Sequence, residues 1–198
     1  GETTDEILGM RDAMFAVSTP LELPKGTIDI VGVGGAPRRQ VAAFNVSTIA
    51  SFVAAAAGAT VCKHGNRKAS STSGSFDLLE ELGVNIEASP DVVAGGVAKI
   101  GLGFAFARAH HPSMRHVGPA RALLGVPSVF NVLGPLAHPG RLKRQVLGVS
   151  DARRAVQIAD VVAGTDAELV WVVHGHDDLD ELSLTGPAHV IEVRNGTQ

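Results

Sequence analysis

A short segment between two apolar stretches gathers many of the groups that could do chemistry in this chain. It runs from Lys63 to Ser75 and holds the cations Lys63 and Arg67, the amide of Asn66, and several hydroxyls that include Ser71 and Ser75. Fixed cations, hydroxyls and exposed backbone amides are the donors that bind a phosphate or diphosphate. The alternative is a solvated Ser-rich loop, but apolar, helix-like runs lie on both sides. The segment therefore predicts an anion site.

A glycine-rich turn supplies a second phosphate signal. Gly32-Val33-Gly34-Gly35 follows the short apolar strand at 28–31, and glycines let the backbone approach a ligand closely. Asn45, Ser47 and Thr48 then begin an Ala-rich helix, where the hydroxyls are either phosphate contacts or an ordinary N-terminal cap. The G-x-G-x-x-G spacing of dinucleotide-binding folds does not occur here.

Acidic residues follow a later apolar strand. Asp180 and Glu181 lie just beyond Leu169–Val173, and paired carboxylates suit Mg²⁺, which takes few protein ligands and completes its shell with water and substrate phosphate. A solvated acidic turn is the alternative. His174 and His176 stand nearby, but without a cysteine or helical histidine spacing they make a poor zinc site.

Basic residues cluster between 108 and 121. An arginine fork matches a carboxylate with two hydrogen bonds, so Arg121 or Arg115 could hold an acidic substrate. Surface solvation is the alternative. His64 and His110 are candidate general bases, and neither is assigned that role.

Strand and helix patterns alternate along the chain. This predicts an α/β fold, a largely parallel central sheet flanked by helices. We expect helices over 3–16, 45–57, 73–82, 90–100, 116–124 and 151–163, strands over 28–31, 59–62, 84–87, 102–106, 145–149, 168–173 and 188–193, and a turn-rich segment over 130–136. Because ligands bind beyond the carboxyl ends of parallel strands, the segments 32–35, 63–67 and 174–181 should open onto one crevice.

The composition narrows the class of protein. The chain has 198 residues, 45% of them hydrophobic and 19% charged, with a net charge of −3. A slightly acidic domain is not expected to bind nucleic acid generally. The single cysteine, Cys62, cannot form an internal disulfide, which favours a reducing, cytoplasmic setting. No run of apolar residues is long enough to suggest a membrane span.

The motifs and their order resemble the anthranilate phosphoribosyltransferases, of the nucleoside-phosphorylase-like phosphoribosyltransferase class. Three blocks carry the resemblance: the Lys63–Ser75 segment, Phe130-Asn131-Val132-Leu133-Gly134-Pro135-Leu136, and Leu179-Asp180-Glu181-Leu182. The resemblance covers nearly the whole chain. It implies a Mg²⁺-dependent enzyme of tryptophan biosynthesis that transfers ribosyl-5-phosphate from phosphoribosyl pyrophosphate (PRPP) to the amine of anthranilate.

The resemblance also implies site roles. The expected PRPP contacts are Gly32, Gly34, Gly35, Asn45, Ser47, Thr48, Lys63, Asn66, Ser71 and Ser75. Anthranilate would meet Gly32, Asn66 and Arg121, and magnesium would meet Ser47, Asp180 and Glu181. The family pairs as homodimers through an N-terminal helical domain. Residues 1–24 would be a remnant of that domain with its connector, and 25–198 a catalytic domain incomplete at its carboxyl end.

The chain departs from the family at the glycine loop. The family pattern is G-T-G-G-D, whereas here Val33 replaces the threonine, Ala36 replaces the acid, and the stretch that follows is longer and contains Arg38 and Arg39. The hypothesis is that PRPP binding persists through Arg38 or Arg39.

Three alternatives stay open: a paralogue with a changed donor or acceptor, a nucleoside phosphorylase, and a non-catalytic module that binds anions or nucleic acid. The 130–136 block argues against the second, and the intact 63–67 and 180–181 motifs argue against the third.

Overall fold

A computed structural model describes residues 1–33, 44–67, 74–124 and 128–198, apart from the side chains at 121, 122 and 124. Its centre is a six-stranded sheet in the order β3-β2-β1-β4-β5-β6. The strands β1 to β5 are parallel, and β6 is antiparallel to β5. The predicted fold class, a largely parallel sheet flanked by helices, is confirmed.

The elements follow the predicted alternation closely. The strands are β1 (Ile28–Gly32), β2 (Val61–Gly65), β3 (Leu102–Phe106), β4 (Arg144–Gly148), β5 (Leu169–His174) and β6 (His189–Arg194). The helices are α1 (Thr4–Ala16), α2 (Val46–Ala56), α3 (Ser75–Glu81), α4 (Pro90–Ile100), α5 (Ala107–His110), α6 (Gly118–Leu124), α7 (Val129–Leu136) and α8 (Ala152–Ala163). Short 3₁₀ turns lie at Pro112–His116 and His176–Asp178.

Local capping explains where several helices begin. Thr3 and Glu6 form a capping box at the start of α1, and the side chain of Asp151 accepts a hydrogen bond from the Arg154 amide at the start of α8. Each cap satisfies backbone amides that have no partner inside the helix. Gly101, with a φ of 73°, ends α4 in the left-handed conformation that glycine adopts without steric cost.

The core lies on both faces of the sheet. On one face, Leu147 and Val172 pack with Ile158 of α8, Leu133 of α7 and Ile7 of α1. By the strand register, a smaller cluster around Cys62 and Val97 continues this face, whereas a third cluster, around Phe76 and Phe106, lies on the opposite face. Aliphatic and small residues fill most of this core, which lets the helices approach the sheet closely.

Two predicted elements are wrong. The segment 130–136, predicted to be turn-rich, is helix α7, where the Ser128 amide donates to Asn131 Oδ1 at the amino end and Val132 and Leu133 are buried. Burial of this apolar face outweighs the helix-breaking tendency of Gly134-Pro135. The strand predicted over 84–87 is a connection between α3 and α4, in which the side chain of Asn85 accepts a hydrogen bond from the Glu87 amide.

Among the described residues, no helix combines the length and the apolar character that crossing a membrane would require.

Candidate active site at the carboxyl ends of the strands

The strand order creates a crevice between β1 and β4. The chain proceeds from β1 through β2 to β3 on one side of the sheet, and then continues on the other side with β4, β5 and β6. Ligands in open parallel sheets bind outside the carboxyl ends of the strands, where this order reverses. Gly32 and Gly148, the last residues of β1 and β4, are paired at this point.

The acidic turn reaches this crevice. A β-carbon built on Gly32 would lie 2.5 Å from Asp180 Oδ2 and 3.3 Å from its Cγ. On Gly148 a β-carbon would collide with the Asp180 carbonyl, and on Gly175 with the Glu181 carbonyl. Glycine at these strand ends therefore lets the acidic turn lie directly against the sheet. Asp180 is buried there, and Glu181 is half-buried.

Backbone geometry shapes the same turn. Asp177 and Asp178 adopt left-handed φ values of 58° and 57°, a region that aspartate enters more readily than most residues. The Gly175 amide donates to the Leu179 carbonyl at 2.8 Å, which closes the turn. Asp180 and Glu181 follow this closure and are directed back to the sheet. The predicted proximity of the glycine turn and the acidic pair is present at Gly32 and Asp180.

A second corner forms where β2 ends. The Asn66 carbonyl accepts hydrogen bonds from the Phe76 amide at 3.3 Å and from Ser75 Oγ at 3.4 Å. A β-carbon on Gly65 would lie 2.6 Å from Ser75 Oγ, so Gly65 permits this contact. The structure thus joins Asn66 and Ser75, which sequence analysis had placed in one anion site. Arg67 is engaged with a different residue, Glu80, to which its guanidinium makes two hydrogen bonds, at 2.8 and 2.6 Å.

The first turn of α2 presents hydroxyls. Thr48 is fully buried, and its Oγ1 has no hydrogen-bond partner among the described residues. Buried hydroxyls in folded proteins are nearly always hydrogen-bonded, so a ligand oxygen would suit this position. Ser47 is half-buried, and its carbonyl accepts from Ser51 Oγ at 2.8 Å. Asn45 precedes both and occupies the N-terminal cap position.

The side chain of Lys63 in β2 is buried against β1. Its side chain is 1% exposed, and its ammonium donates to the Ile30 carbonyl at 2.7 Å. Burial lowers the pKa of Lys63 to about 8, while attraction to Asp29 opposes that change. The direct contact between Lys63 and PRPP stays a prediction, because in this conformation the ammonium is already engaged within the protein.

Buried histidines pack beside this corner. The ring of His64 lies 5.4 Å from the rings of both His111 and His138, centroid to centroid. His138 Nδ1 accepts from the Gly140 amide, so its Nε2 carries the proton and donates to the Cys62 carbonyl at 2.9 Å. Burial lowers the pKa of His64 well below its ordinary value, which leaves this imidazole neutral near pH 7.

The two candidate bases differ in their partners. His64 Nε2 is buried without a hydrogen-bond partner among the described residues. His110 is also buried, and its Nδ1 lies 3.0 Å from the Thr19 carbonyl, to which it donates. Burial lowers the pKa of His110 as well. Neither geometry identifies a general base.

Some predicted contacts fall outside the described residues. These are Gly34, Gly35 and Ser71, together with Arg38 and Arg39 of the altered loop. Arg121 belongs to α6 by its backbone, but its side chain is outside the description. The roles predicted for all of these residues stay predictions.

Sequence analysis missed two residues of this region. Asp29 is a fully buried carboxylate in β1, and the signal was available as a charge inside the apolar run Ile28-Asp29-Ile30-Val31. Gly148 is the glycine that admits the Asp180 backbone. Its signal was weaker, since a glycine at a strand end is common.

An open recess elsewhere is not the predicted site. It is lined by Arg11, Phe15, Arg141 and Gln145, among others, and none of the predicted site residues lines it. Both guanidiniums lie over the Phe15 ring, 4.8 and 4.9 Å from its centroid. Gln145 and Val170 of its lining lie near the amino ends of β4 and β5, opposite the end where the crevice lies.

Comparison with known proteins reveals a consistent family. Residues 24–198 match the model of the glycosyl transferase family, a/b domain. The chain is 49% identical to the anthranilate phosphoribosyltransferase of Afipia carboxidovorans and 47% identical to that of Agrobacterium fabrum, over 99% of this chain and 57% and 56% of those proteins. It therefore spans a little more than half the length of these curated relatives.

Solved structures show the same similarity. The crystal structure of anthranilate phosphoribosyltransferase from Thermus thermophilus superposes with a TM-score of 0.89 at 46% identity, over 97% of this chain and 57% of that one. The Saccharomyces cerevisiae enzyme in complex with PRPP and Mg superposes with a TM-score of 0.85 at 32% identity, over 97% and 55%.

Proposed function

This chain belongs to the glycosyl transferase family represented by that a/b domain, and from this premise we propose that it is the PRPP-binding catalytic part of an anthranilate phosphoribosyltransferase. The reaction is the Mg²⁺-dependent transfer of ribosyl-5-phosphate from PRPP to the amine of anthranilate. The proposal is supported by the names of relatives and by a yeast structure in complex with PRPP and Mg.

One observation carries the proposal. The Asp180 carboxylate lies against Gly32 at the end of β1, and the Asn66–Ser75 corner lies at the end of the neighbouring strand β2. Because β1 and β2 are adjacent parallel strands, about 4.8 Å apart, both groups lie at the same end of the sheet. A metal bound by carboxylates and a diphosphate bound by hydroxyls and amides could meet there.

The residues present fit magnesium. Asp180 and Glu181 supply hard carboxylate oxygens, one buried against the glycine strand end and the other half-buried beside it. Magnesium takes few protein ligands and keeps water and substrate oxygens in its shell. Ser47, at the first turn of α2, is the third proposed ligand. When bound, magnesium would neutralise negative charge on the departing diphosphate.

The remaining residues would bind and orient the substrates. The hydroxyls of Thr48 and Ser75 and the side-chain amide of Asn66 would donate to PRPP oxygens. Arg121 would hold the anthranilate carboxylate through its guanidinium fork. An aromatic amine is largely unprotonated at pH 7, so bringing it to the ribose carbon is much of the catalytic task.

Two measurements test this function. Isothermal titration of the chain with PRPP and Mg²⁺ should show binding, and no heat at millimolar PRPP would contradict donor binding. Mixing with anthranilate should then decrease anthranilate fluorescence as it is consumed. PRPP binding without that decrease would favour the paralogue with a different acceptor. DNA binding that weakens steeply with salt, without PRPP binding, would favour the non-catalytic module.

Arginine variants separate the acceptor site from the surface. Arg121→Ala should raise the KM for anthranilate far more than the KM for PRPP, because only the acceptor loses a bidentate partner. Arg153→Ala is the matched control, since this exposed arginine lies on α8 and belongs to no predicted site. Equal effects of Arg121→Ala on both substrates would remove Arg121 from the acceptor site.

The proposal includes the division of the chain. Residues 1–24 would be the end of a helical domain with its connector, and 25–198 would belong to the catalytic domain. Within this structure α1 places Ile7 in the core with α8. Homodimer formation and a cytoplasmic location are part of the same proposal, by similarity to the family.

A further inference from the structure

Side-chain hydrogen bonds join β1 to β2 near the site. β1 pairs with β4 at five successive positions, from Ile28–Arg144 to Gly32–Gly148, whereas its register with β2 is defined at Ile28 and Val61. Two side-chain hydrogen bonds also connect the two strands. The His64 amide donates to Asp29 Oδ1 at 3.0 Å, and Lys63 Nζ donates to the Ile30 carbonyl at 2.7 Å.

Asp29 also reaches the strand on its other side. Gln145 of β4 lies opposite Asp29, and its side-chain amide is 3.4 Å from Asp29 Oδ2 and 3.2 Å from the Pro135 carbonyl of α7. One buried carboxylate thus contacts both neighbours of β1. Those three strands end in Gly32, Gly65 and Gly148, which form the edge where the site lies.

The burial of Asp29 costs free energy for its charged carboxylate. It is fully buried, and burial raises its pKa to about 6, although attraction to Lys63 and the hydrogen bonds from His64 and Gln145 oppose that rise. A charge taken out of water needs partners with good geometry. Apolar side chains would fill this space without that cost, so stability alone does not account for an aspartate here.

We infer that Asp29 is a positioning residue for this site: with Lys63 it joins β1 to β2 through side-chain hydrogen bonds and so holds the Gly65–Asn66 corner beside Gly32. What the corner binds rests on the proposed function. The hydrogen-bonded connection between β1 and β2 does not depend on it. Asp29 acts through the His64 amide, one residue before Gly65, and touches neither proposed substrate nor metal. Lys63 supplies the opposite charge and the second connection.

Amide hydrogen exchange directly tests the connection between β1 and β2. In Asp29→Ala, exchange at His64 should accelerate about 10-fold or more, because a hydrogen bond to a charged acceptor is lost. In Asp29→Asn the change should be smaller, since the side-chain carbonyl can still accept from the same amide. Exchange at Leu147 of β4, a buried strand residue on the far side of β1, is the internal reference.

Titration with PRPP and Mg²⁺ tests the positioning of the site. Asp29→Ala should raise the Kd for PRPP about 10-fold, and Asp29→Asn should recover part of this loss. Asp151→Ala is the control for lost stability, because it removes the cap of α8 without touching β1 or β2. It should lower the melting temperature, leave the PRPP Kd unchanged, and change exchange at His64 and Leu147 by the same factor.

The outcomes separate the two proposals. If the unaltered chain fails to bind PRPP, the proposed function fails, and His64 exchange alone decides the inference. Unchanged His64 exchange in Asp29→Ala, or equal acceleration at His64 and Leu147, would overturn the inference. So would normal PRPP binding in that variant. If Asp29→Ala does not fold, Asp29→Asn and Lys63→Met carry the same comparison, with faster exchange at His64 than at Leu147 as the expected result.

Discussion

Replacing Gly32 by alanine tests whether the acidic turn and the glycine strand end form one site. The new β-carbon would lie 2.5 Å from Asp180 Oδ2. Because carbon and oxygen atoms approach each other to about 3.3–3.6 Å, the carboxylate must retreat by about 1 Å. Gly32 does not have a positive φ, so the effect is steric and not conformational.

The size of the effect follows from the packing. Asp180 is only 8% exposed, and its carbonyl already fills the space above Gly148, so the side chain has little room to retreat. Overpacking of this kind costs about 1–3 kcal/mol of folding free energy. Displacing a binding group by about 1 Å can weaken catalysis by roughly 100-fold. We therefore expect Gly32→Ala to weaken Mg²⁺-dependent PRPP binding by about 10- to 100-fold.

Isothermal titration with PRPP and Mg²⁺, combined with thermal unfolding, measures both parts. Gly95→Ala is the matched control, because a β-carbon at Gly95 in α4 would meet no atom within 4 Å. That control should stabilise the protein by about 0.5–1 kcal/mol and leave PRPP binding unchanged. A Gly32→Ala variant that binds PRPP and unfolds like the unaltered chain would refute the reasoning.

Three further predictions concern metal, acid and packing. Asp180→Asn or Glu181→Gln should shift the Mg²⁺ dependence of PRPP binding to higher Mg²⁺ concentration, since each removes a negatively charged ligand. An unchanged Mg²⁺ titration would show that these carboxylates only form a structural turn. Acid should destabilise the fold, because burial lowers the pKa of four histidines: His64, His110, His111 and His138. A group with a lowered folded pKa contributes stability that is present above its ordinary pKa of 6.5 and lost as the pH falls. Urea unfolding should therefore give a lower free energy of unfolding at pH 5.5 than at pH 7.5, by about 1 kcal/mol from His138 alone, whose pKa burial lowers to about 3. Asp29, whose raised pKa has the opposite sign, offsets part of this loss below pH 6; equal unfolding midpoints would contradict the prediction. Leu133→Ala, at a side chain 1% exposed in α7, should cost about 2–5 kcal/mol in denaturant unfolding, whereas Leu184→Ala at an exposed position should change little.

Local sequence predicted most of the fold. The capping pair at Thr3 and Glu6 and the glycine that ends α4 mark element boundaries by short-range chemistry. Alternating apolar strands and helices predicted the parallel sheet, and the motif order indicated the family. The exceptions were α7 and the connection at 84–87, where tertiary burial or a side-chain turn outweighed local propensity.

The candidate site needed tertiary information. Residue types identified the glycine turn, the 63–75 segment and the acidic pair, but only the sheet order brings Asp180 against Gly32, residues separated by most of the chain. The sequence also did not predict that Lys63 bonds to the Ile30 carbonyl. A strand residue can face either side of the sheet, and its buried partners depend on the tertiary structure.

The sequence by itself determined which groups are available: hydroxyls and glycines for phosphate, paired carboxylates for a cation, and the family pattern that unites them. Only the tertiary structure decided that Asp29 links three strands beneath those groups. The physical reason is that a buried carboxylate is stabilised by partners distant in sequence, and no local pattern specifies where those partners lie.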